Sequence, residues 1–107
     1  MLGRRRFHDV VRRQLDIFAE DEAELLAEAA GADAAWTKAS REESEELFGD
    51  YQLVVDAIGE HLYDVREAYA ATLAEDVADP YRAAFNQAAL KRFRRLASFL
   101  DENAQWP

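Results

Sequence analysis

The 107-residue chain has no cysteine, only four glycines and two prolines, and no long hydrophobic run. The missing cysteines exclude disulfide bonds, thiolate zinc sites and cysteine nucleophiles. So few glycines and prolines argue against a β-rich fold, which needs many turns. No segment approaches the roughly 20 apolar residues that cross a bilayer. The basic start at residues 4–6 is followed by interspersed charges rather than a signal-peptide core, so we expect a soluble, cytoplasmic protein with no membrane partner.

Acidic residues dominate the charge. The chain has 22 acidic and 13 basic residues, which gives a formal net charge of −9. This excess favours solubility and disfavours nonspecific binding to nucleic acid. Two basic stretches, RRRF at residues 4–7 and KRFRR at residues 91–95, do interleave aromatic residues as nucleic-acid-binding segments can. Their aromatic residues fall on apolar helix faces and their charges have acidic neighbours, so we expect no nucleic-acid partner.

One stretch, from Ser40 to about Glu75, organises the predicted fold. Ser40 and Glu43 have the spacing of a capping box at a helix start. Gly49 and Gly59 lie inside the helix, and a kink at either one is an open alternative. Apolar residues then recur at steps of three or four, which places them in one stripe: Leu47, Tyr51, Val54, Ile58, Leu62, Val65, Tyr69 and Leu73.

Two flanking segments also show helical periodicity. The first runs from about residue 4 to 30, and Gly31 is the predicted C-terminal stop. Its apolar stripe weakens at residues 19–22, which predicts a bend or break unless Glu22 has a partner there. The last helix is predicted over residues 80–100, with Asp79 as N-cap and Pro80 in the first turn. Trp36 falls in the predicted connector and is interpreted as closing the end of the core rather than as a ligand platform.

These segments predict a single all-α domain over residues 1–107. The architecture is an antiparallel up-down bundle of three long helices, roughly 4–30, 40–75 and 80–100. A split of the first helix would make four. Residues 101–107 are predicted to be a loose tail.

Arg92 and Glu22 interrupt two apolar stripes. A charge in such a position is paired or extends to solvent. We therefore predict a partly buried structural ion pair between Arg92 and Glu22. The alternative is that Arg92 binds an anionic ligand between helices. His8 and His61 lie at the edges of apolar stripes without metal-binding spacing, which favours an interfacial role.

Acidic residues at helical spacing occur on the first two predicted helices. Glu43, Glu46 and Asp50 line one flank of the long helix, and Asp21, Glu24 and Glu28 lie on one side of the first. Clustered carboxylates suit a hard cation such as Mg²⁺. The stretches EDEAELLAEAA and EESEELFGD resemble the two acidic motifs of the all-α nucleotide pyrophosphohydrolases of the MazG type. They depart from that pattern in having Asp21 for a glutamate and Glu46 and Asp50 four residues apart instead of three.

The resemblance implies a magnesium-dependent enzyme that releases diphosphate from nucleoside triphosphates. A metal-bound water would attack the triphosphate, and Glu43 would be the catalytic residue. The implied magnesium ligands are Asp21, Glu24, Glu46 and Asp50.

The favoured interpretation is a non-enzymatic protein that acts through self-association or protein–protein interaction, with no cofactor. More apolar surface is present than three helices of this size can cover. We therefore expect a homodimer or an unidentified protein partner. The predicted interaction residues are Leu53 and Tyr63 on the long helix and Val10 and Ile17 on the first.

Overall fold

A computed structural model describes the backbone of residues 2–93 and the side chains of residues 6–93. Within that range the chain forms four α-helices and no strand: α1 (Leu2–Asp21), α2 (Ala23–Thr37), α3 (Arg41–Ala70) and α4 (Glu75–Arg92). The predicted all-α helical bundle is therefore confirmed, whereas its antiparallel up-down order stays a prediction. The predicted tail at residues 101–107 lies outside the described residues.

The first predicted helix is split at Glu22, as the weakening of its apolar stripe predicted. Glu22 leaves the helical region of backbone space, with φ −107° and ψ 28°. Hydrogen bonds still cross the break, because the Glu22 amide donates to Phe18 at 2.8 Å and the Leu26 amide donates to Glu22 at 2.9 Å. The break therefore redirects α2 relative to α1 without an intervening loop.

The prediction that Gly31 ends this segment is wrong, since α2 continues through Gly31 to Thr37. Gly31 does not have a positive φ, so it does not adopt the left-handed conformation of a glycine helix stop. The tertiary contacts of Trp36 explain the extension. Its ring stacks on Tyr51 of α3 with centroids 6.0 Å apart, and this packing outweighs the roughly 1 kcal/mol that a glycine costs inside a helix.

α3 begins with the predicted capping box. The Glu43 amide donates to the Ser40 hydroxyl, and the Glu43 carboxylate accepts from the Ser40 amide, both at 3.3 Å. The helix then continues unbroken through Gly49 and Gly59. It ends at Ala70 rather than at the predicted Glu75. Just after this end, the Thr72 hydroxyl donates to the Tyr69 carbonyl at 2.7 Å.

The predicted start of the last helix is also wrong. α4 begins at Glu75 with Ala74 as N-cap, so Pro80 lies inside the helix and Asp79 is not its cap. Starting earlier brings Ala78 into the core and Val77 against it, and this burial offsets the backbone hydrogen bond that Pro80 cannot donate. The described part of α4 ends at Arg92, and the predicted extension over 94–100 lies outside the described residues.

The core is built from one face of each helix. Twelve buried residues form one cluster. Ring contacts order the packing of α1 on α4, with Phe7 beside Tyr81 at 5.6 Å and Phe18 beside Phe93 at 5.7 Å. Residues 7–18 of α1 therefore lie alongside residues 81–92 of α4 and its C-cap residue Phe93. The cluster contains Phe7, Val11, Leu15, Phe18, Ala29, Ile58, Leu62, Ala70, Ala78, Tyr81, Phe85 and Ala89.

Candidate interaction surfaces

The predicted interaction residues fall into two groups. Leu53 is 70% exposed, Tyr63 41% and Ile17 53%, which are high values for large apolar side chains. Val10 differs from these three, because it is half-buried and packs against the core, so it offers less apolar surface to a partner. Leu53 and Tyr63 are separated by about 15 Å along α3 and by about 80° around its axis. They belong to its outer face.

Trp36 and two aromatic residues of α3 form a cluster near the connection between α2 and α3. The Trp36 ring lies 5.1 Å from Phe48 and stacks on buried Tyr51. This placement agrees with the predicted packing role of Trp36. Phe48 is exposed. It was not among the residues predicted from the sequence, because it lies off the main apolar stripe of α3.

The predicted ion pair between Arg92 and Glu22 is wrong. The Arg92 Nη1 atom donates to Asp16 Oδ1 at 2.6 Å, whereas Glu22 Oε2 lies 3.1 Å from Nδ1 of His61. The register of α1 against α4 is the physical reason. Phe93 packs on Phe18, which places neighbouring Arg92 beside Asp16 and about 9 Å along α1 from Glu22.

Among the described residues, the buried charged side chain is that of Arg66 on α3, which was not predicted from the sequence. Its side chain is 2% exposed, and its Nε donates to Glu67 at 2.7 Å while its Nη1 donates to Asn86 at 2.8 Å. Its guanidinium also lies 5.0 Å from the centre of the Tyr63 ring. The spacing of the buried residues of α3 could have revealed it, because Gly59, Leu62, Arg66 and Ala70 recur at steps of three or four.

Glu67 connects Arg66 to α4. Arg82 binds it through two bonds, from Nε at 2.9 Å and from Nη2 at 3.0 Å, and also donates to Asp79 at 2.9 Å. The bonds from Arg82 and those from Arg66 together lower the pKa of Glu67 below its ordinary value, although partial burial opposes them. The same contact with Glu67 raises the pKa of Arg82. This network cross-links α3 and α4, and it has the geometry of a structural element.

The residues of the magnesium hypothesis are all exposed on α1, α2 and α3. Within the described range, no three Asp, Glu or His side chains lie close enough together to hold a metal ion. The carboxylate of Glu43 accepts hydrogen bonds from Ser40 in the capping box, so a local structural contact engages it. The geometry gives the magnesium hypothesis no support. Its four implied ligands are Asp21, Glu24, Glu46 and Asp50.

Concave regions of the described part of the chain include two that lie between helices. A cavity of about 290 Å³ separates α1 from α3 near the Glu22–His61 contact, and exposed Ile17 lines it. A larger groove of about 490 Å³ runs between α1 and α4. Apolar and small residues form its floor, and basic residues together with one glutamine line its sides. The floor contains Phe7, Val11, Leu15, Ala84 and Ala88, and the sides contain His8, Arg12, Gln87, Lys91 and Arg92.

Among the described residues, no helix combines the length and the apolar character needed to cross a membrane. No protein-family model matches the chain, and neither a curated protein nor a solved structure is significantly similar to it. The resemblance to the MazG-type pyrophosphohydrolases therefore rests on the acidic motifs alone.

Proposed function

We propose that this protein is a non-enzymatic helical bundle that acts by self-association through the outer face of α3. The observation that carries the proposal is Leu53, which is 70% exposed in the interior of a 30-residue helix. An apolar side chain held so far from the core contributes nothing to the folding of the monomer. Removing it from water in a complex is favourable by about 1–2 kcal/mol.

A two-fold dimer pairs the two exposed residues with each other. In such a dimer the same surface is used by both copies, so each contact occurs twice. If the outer faces of two α3 helices cross antiparallel at the axial level of residue 58, then Leu53 of each copy packs against Tyr63 of the other. Tyr63 is already oriented by the guanidinium of Arg66, 5.0 Å from its ring centre, which lowers the entropy cost of ordering it at an interface.

Charge limits the strength of this dimer. Asp56 and Glu60 lie between Leu53 and Tyr63 along the same face, and both are exposed. In the antiparallel crossing they face each other across the interface, in addition to the general repulsion between two copies of charge −9. Added salt screens this repulsion, so association strengthens as ionic strength rises.

Sedimentation equilibrium of the full chain tests the proposal over about 1 µM to 1 mM, at low and high salt. We expect a reversible monomer–dimer equilibrium with a dissociation constant on the order of tens of micromolar, since one helix face provides a small interface. Leu53→Glu is expected to weaken the dimer at least about tenfold. Its matched control is Ala68→Glu, which adds the same charge at another exposed position of α3, away from Leu53. A chain that stays monomeric throughout, or equal weakening by both variants, contradicts the proposal.

A further inference from the structure

The groove between α1 and α4 differs in charge from the rest of the molecule. The chain as a whole is strongly acidic, yet the charged side chains that line this groove are all basic. Arg92 is held by Asp16 at 2.6 Å, but its side chain remains 38% exposed. Arg12 and Lys91 are exposed, and within the described residues no carboxylate forms an ion pair with either. Three basic side chains, of which Arg12 and Lys91 form no such ion pair, therefore border an apolar floor.

The floor of the groove suits a helix. Ala84 and Ala88 are one turn apart on α4 and half-buried, and their small side chains let a third backbone approach closely. Across the groove, Phe7, Val11 and Leu15 of α1 are buried and close its floor along about two helical turns. This is the geometry in which an amphipathic helix places its apolar face between two others.

The distribution of charge distinguishes a helix from a single-headed anion. Because Phe7 lies beside Tyr81 and Phe18 beside Phe93, Arg12 is midway along the groove and Lys91 is near one end. The positive charges are thus spread over about 10 Å instead of converging on one point. A ligand with one carboxylate would engage only one of them, whereas acidic residues spaced one turn apart on a helix can engage several.

We propose that the α1/α4 groove is a docking site for an acidic amphipathic helix of another protein. The apolar face of that helix lies on Ala84 and Ala88, and its acidic residues pair with Arg12, Lys91 and Arg92. This site is separate from the outer face of α3 and does not depend on the proposed dimer. Since it relies on opposite charges, its binding weakens as salt rises.

A fluorescence anisotropy titration of the full chain tests the site. The probe is a labelled synthetic helix of about 15 residues with leucine and alanine on one face and glutamate on both flanks. One control peptide has the same composition in an order that destroys the amphipathic pattern, and a second carries lysine in place of glutamate. Unlabelled decanoate is added as a competitor to test a single-headed amphiphile, and sedimentation equilibrium of the wild-type chain and of a groove variant tests a second copy of this chain.

The decisive variant is the double substitution Arg12→Glu with Lys91→Glu, which reverses the charge on both sides of the groove. Its matched control, Arg13→Glu with Lys38→Glu, makes the same change in net charge at exposed positions that do not line the groove. We expect the groove variant to weaken probe binding about tenfold or more and the control to change it by less than about twofold. Far-ultraviolet circular dichroism confirms that both variants remain helical.

Several results overturn the proposal. These are no binding of the acidic probe, equal binding of the scrambled peptide, and equal weakening by the two double variants. Displacement of the probe by decanoate would assign the groove to a small amphiphile instead. A wild-type dimer in sedimentation equilibrium that is lost in the groove variant but kept in its matched control would assign the groove to a second copy of the chain. Ala88→Leu provides an independent check that involves no charge, because a larger side chain on the floor is expected to weaken binding by filling the groove.

Discussion

Arg66 and Arg92 are two ion-paired arginines in opposite surroundings. Arg66 lies near the C-terminal end of α3 with 2% of its side chain exposed, whereas Arg92 lies at the C-terminal end of α4 with 38% exposed. The hydrogen bond of Arg92 to Asp16 is short at 2.6 Å, and that of Arg66 to Glu67 is 2.7 Å. The two pairs therefore have similar hydrogen-bond distances and differ in how much of the arginine is exposed to solvent.

The difference determines what each arginine contributes. Removing a guanidinium from water costs several kcal/mol, and only well-placed partners compensate for it. Arg66 has such partners in Glu67 and Asn86, so it ties the position of α3 to that of α4. Water can replace Asp16 at Arg92 with little loss. We therefore expect the two pairs to differ strongly in their contribution to the free energy of unfolding, although their hydrogen-bond distances are similar.

The largest expected effect is that of Arg66→Ala. The substitution leaves a cavity in the core and removes the donors to Glu67 and Asn86, and it should cost about 3 kcal/mol. Urea unfolding measures this loss. Arg66→Met is the matched control, because it keeps most of the volume without the charge, and it should cost clearly less. A loss below about 1 kcal/mol for Arg66→Ala would mean that the arginine is not held by this network.

Glu67→Gln should have the next largest effect, about 1–2 kcal/mol near neutral pH. The substitution keeps the shape but leaves buried Arg66 without its carboxylate, although Glu67 is itself partly exposed. Asp79→Asn is the control, since it removes the exposed partner of Arg82 and should change stability by less than about 0.5 kcal/mol.

The effect of Glu67→Gln should also depend on pH. Arg82 and Arg66 lower the pKa of Glu67 in the folded protein below its ordinary value of 4.5. The unfolded chain therefore takes up a proton first as pH falls. The stabilisation by Glu67 is fully present above about pH 4.5 and is lost as pH falls through the lower folded value. The difference between wild type and Glu67→Gln should shrink over that range, and a difference that is constant down to pH 2 would contradict the mechanism.

Tyr81→Phe removes an uncharged buried hydrogen bond, and its expected effect on stability is intermediate between those of the two arginine substitutions. The Tyr81 hydroxyl donates to Gln14 at 2.7 Å, and its ring is fully buried, so the substitution should cost about 1 kcal/mol. Burial raises the pKa of Tyr81 to about 12, from an ordinary value of 10. The unfolded chain then loses this proton first as pH rises, so the advantage of wild type over the variant should shrink above pH 10. Unfolding midpoints of both proteins measured from pH 8 to about pH 11 check this.

The sequence predicted the helices better than their ends, because periodicity reports burial and ends depend on tertiary contacts. The Ser40–Glu43 capping box is a local pattern and is confirmed, whereas the predicted stripe of α3 is confirmed only in part, because Val55 and Arg66 are buried beside it. Gly31 and Pro80 are local stop and start patterns that packing of Trp36 and Ala78 overrides. Arg92 was expected to be buried from its phase alone, but the register of α1 on α4 cannot be read from one helix. Arg66 could have been found, because it lies on the buried line of its own helix.

For surface residues, too, the sequence predicts features within one helix better than features formed between helices. The exposure of Leu53 and Tyr63 follows from their phase on α3, which the sequence contains. The basic groove could not be predicted, because its residues come from α1 and α4 and share a surface only through the alignment of Phe7 with Tyr81. Sites formed within one helix are thus accessible to sequence reasoning, and sites formed between distant helices need the packing.

Arg92→Ala should have the smallest effect, within about 0.5 kcal/mol, because an exposed ion pair gains little over its hydrated groups. Arg92 also lies 5.6 Å from the centre of the Phe93 ring, so part of any loss will come from that contact rather than from Asp16. A double-mutant cycle with Asp16→Ala separates the ion pair from the contact with the Phe93 ring, since the coupling energy contains only the ion pair. We expect a coupling below about 0.5 kcal/mol that falls further in high salt. A coupling above about 1 kcal/mol that resists salt would mean that the pair is shielded from water, and Arg92 would then resemble Arg66.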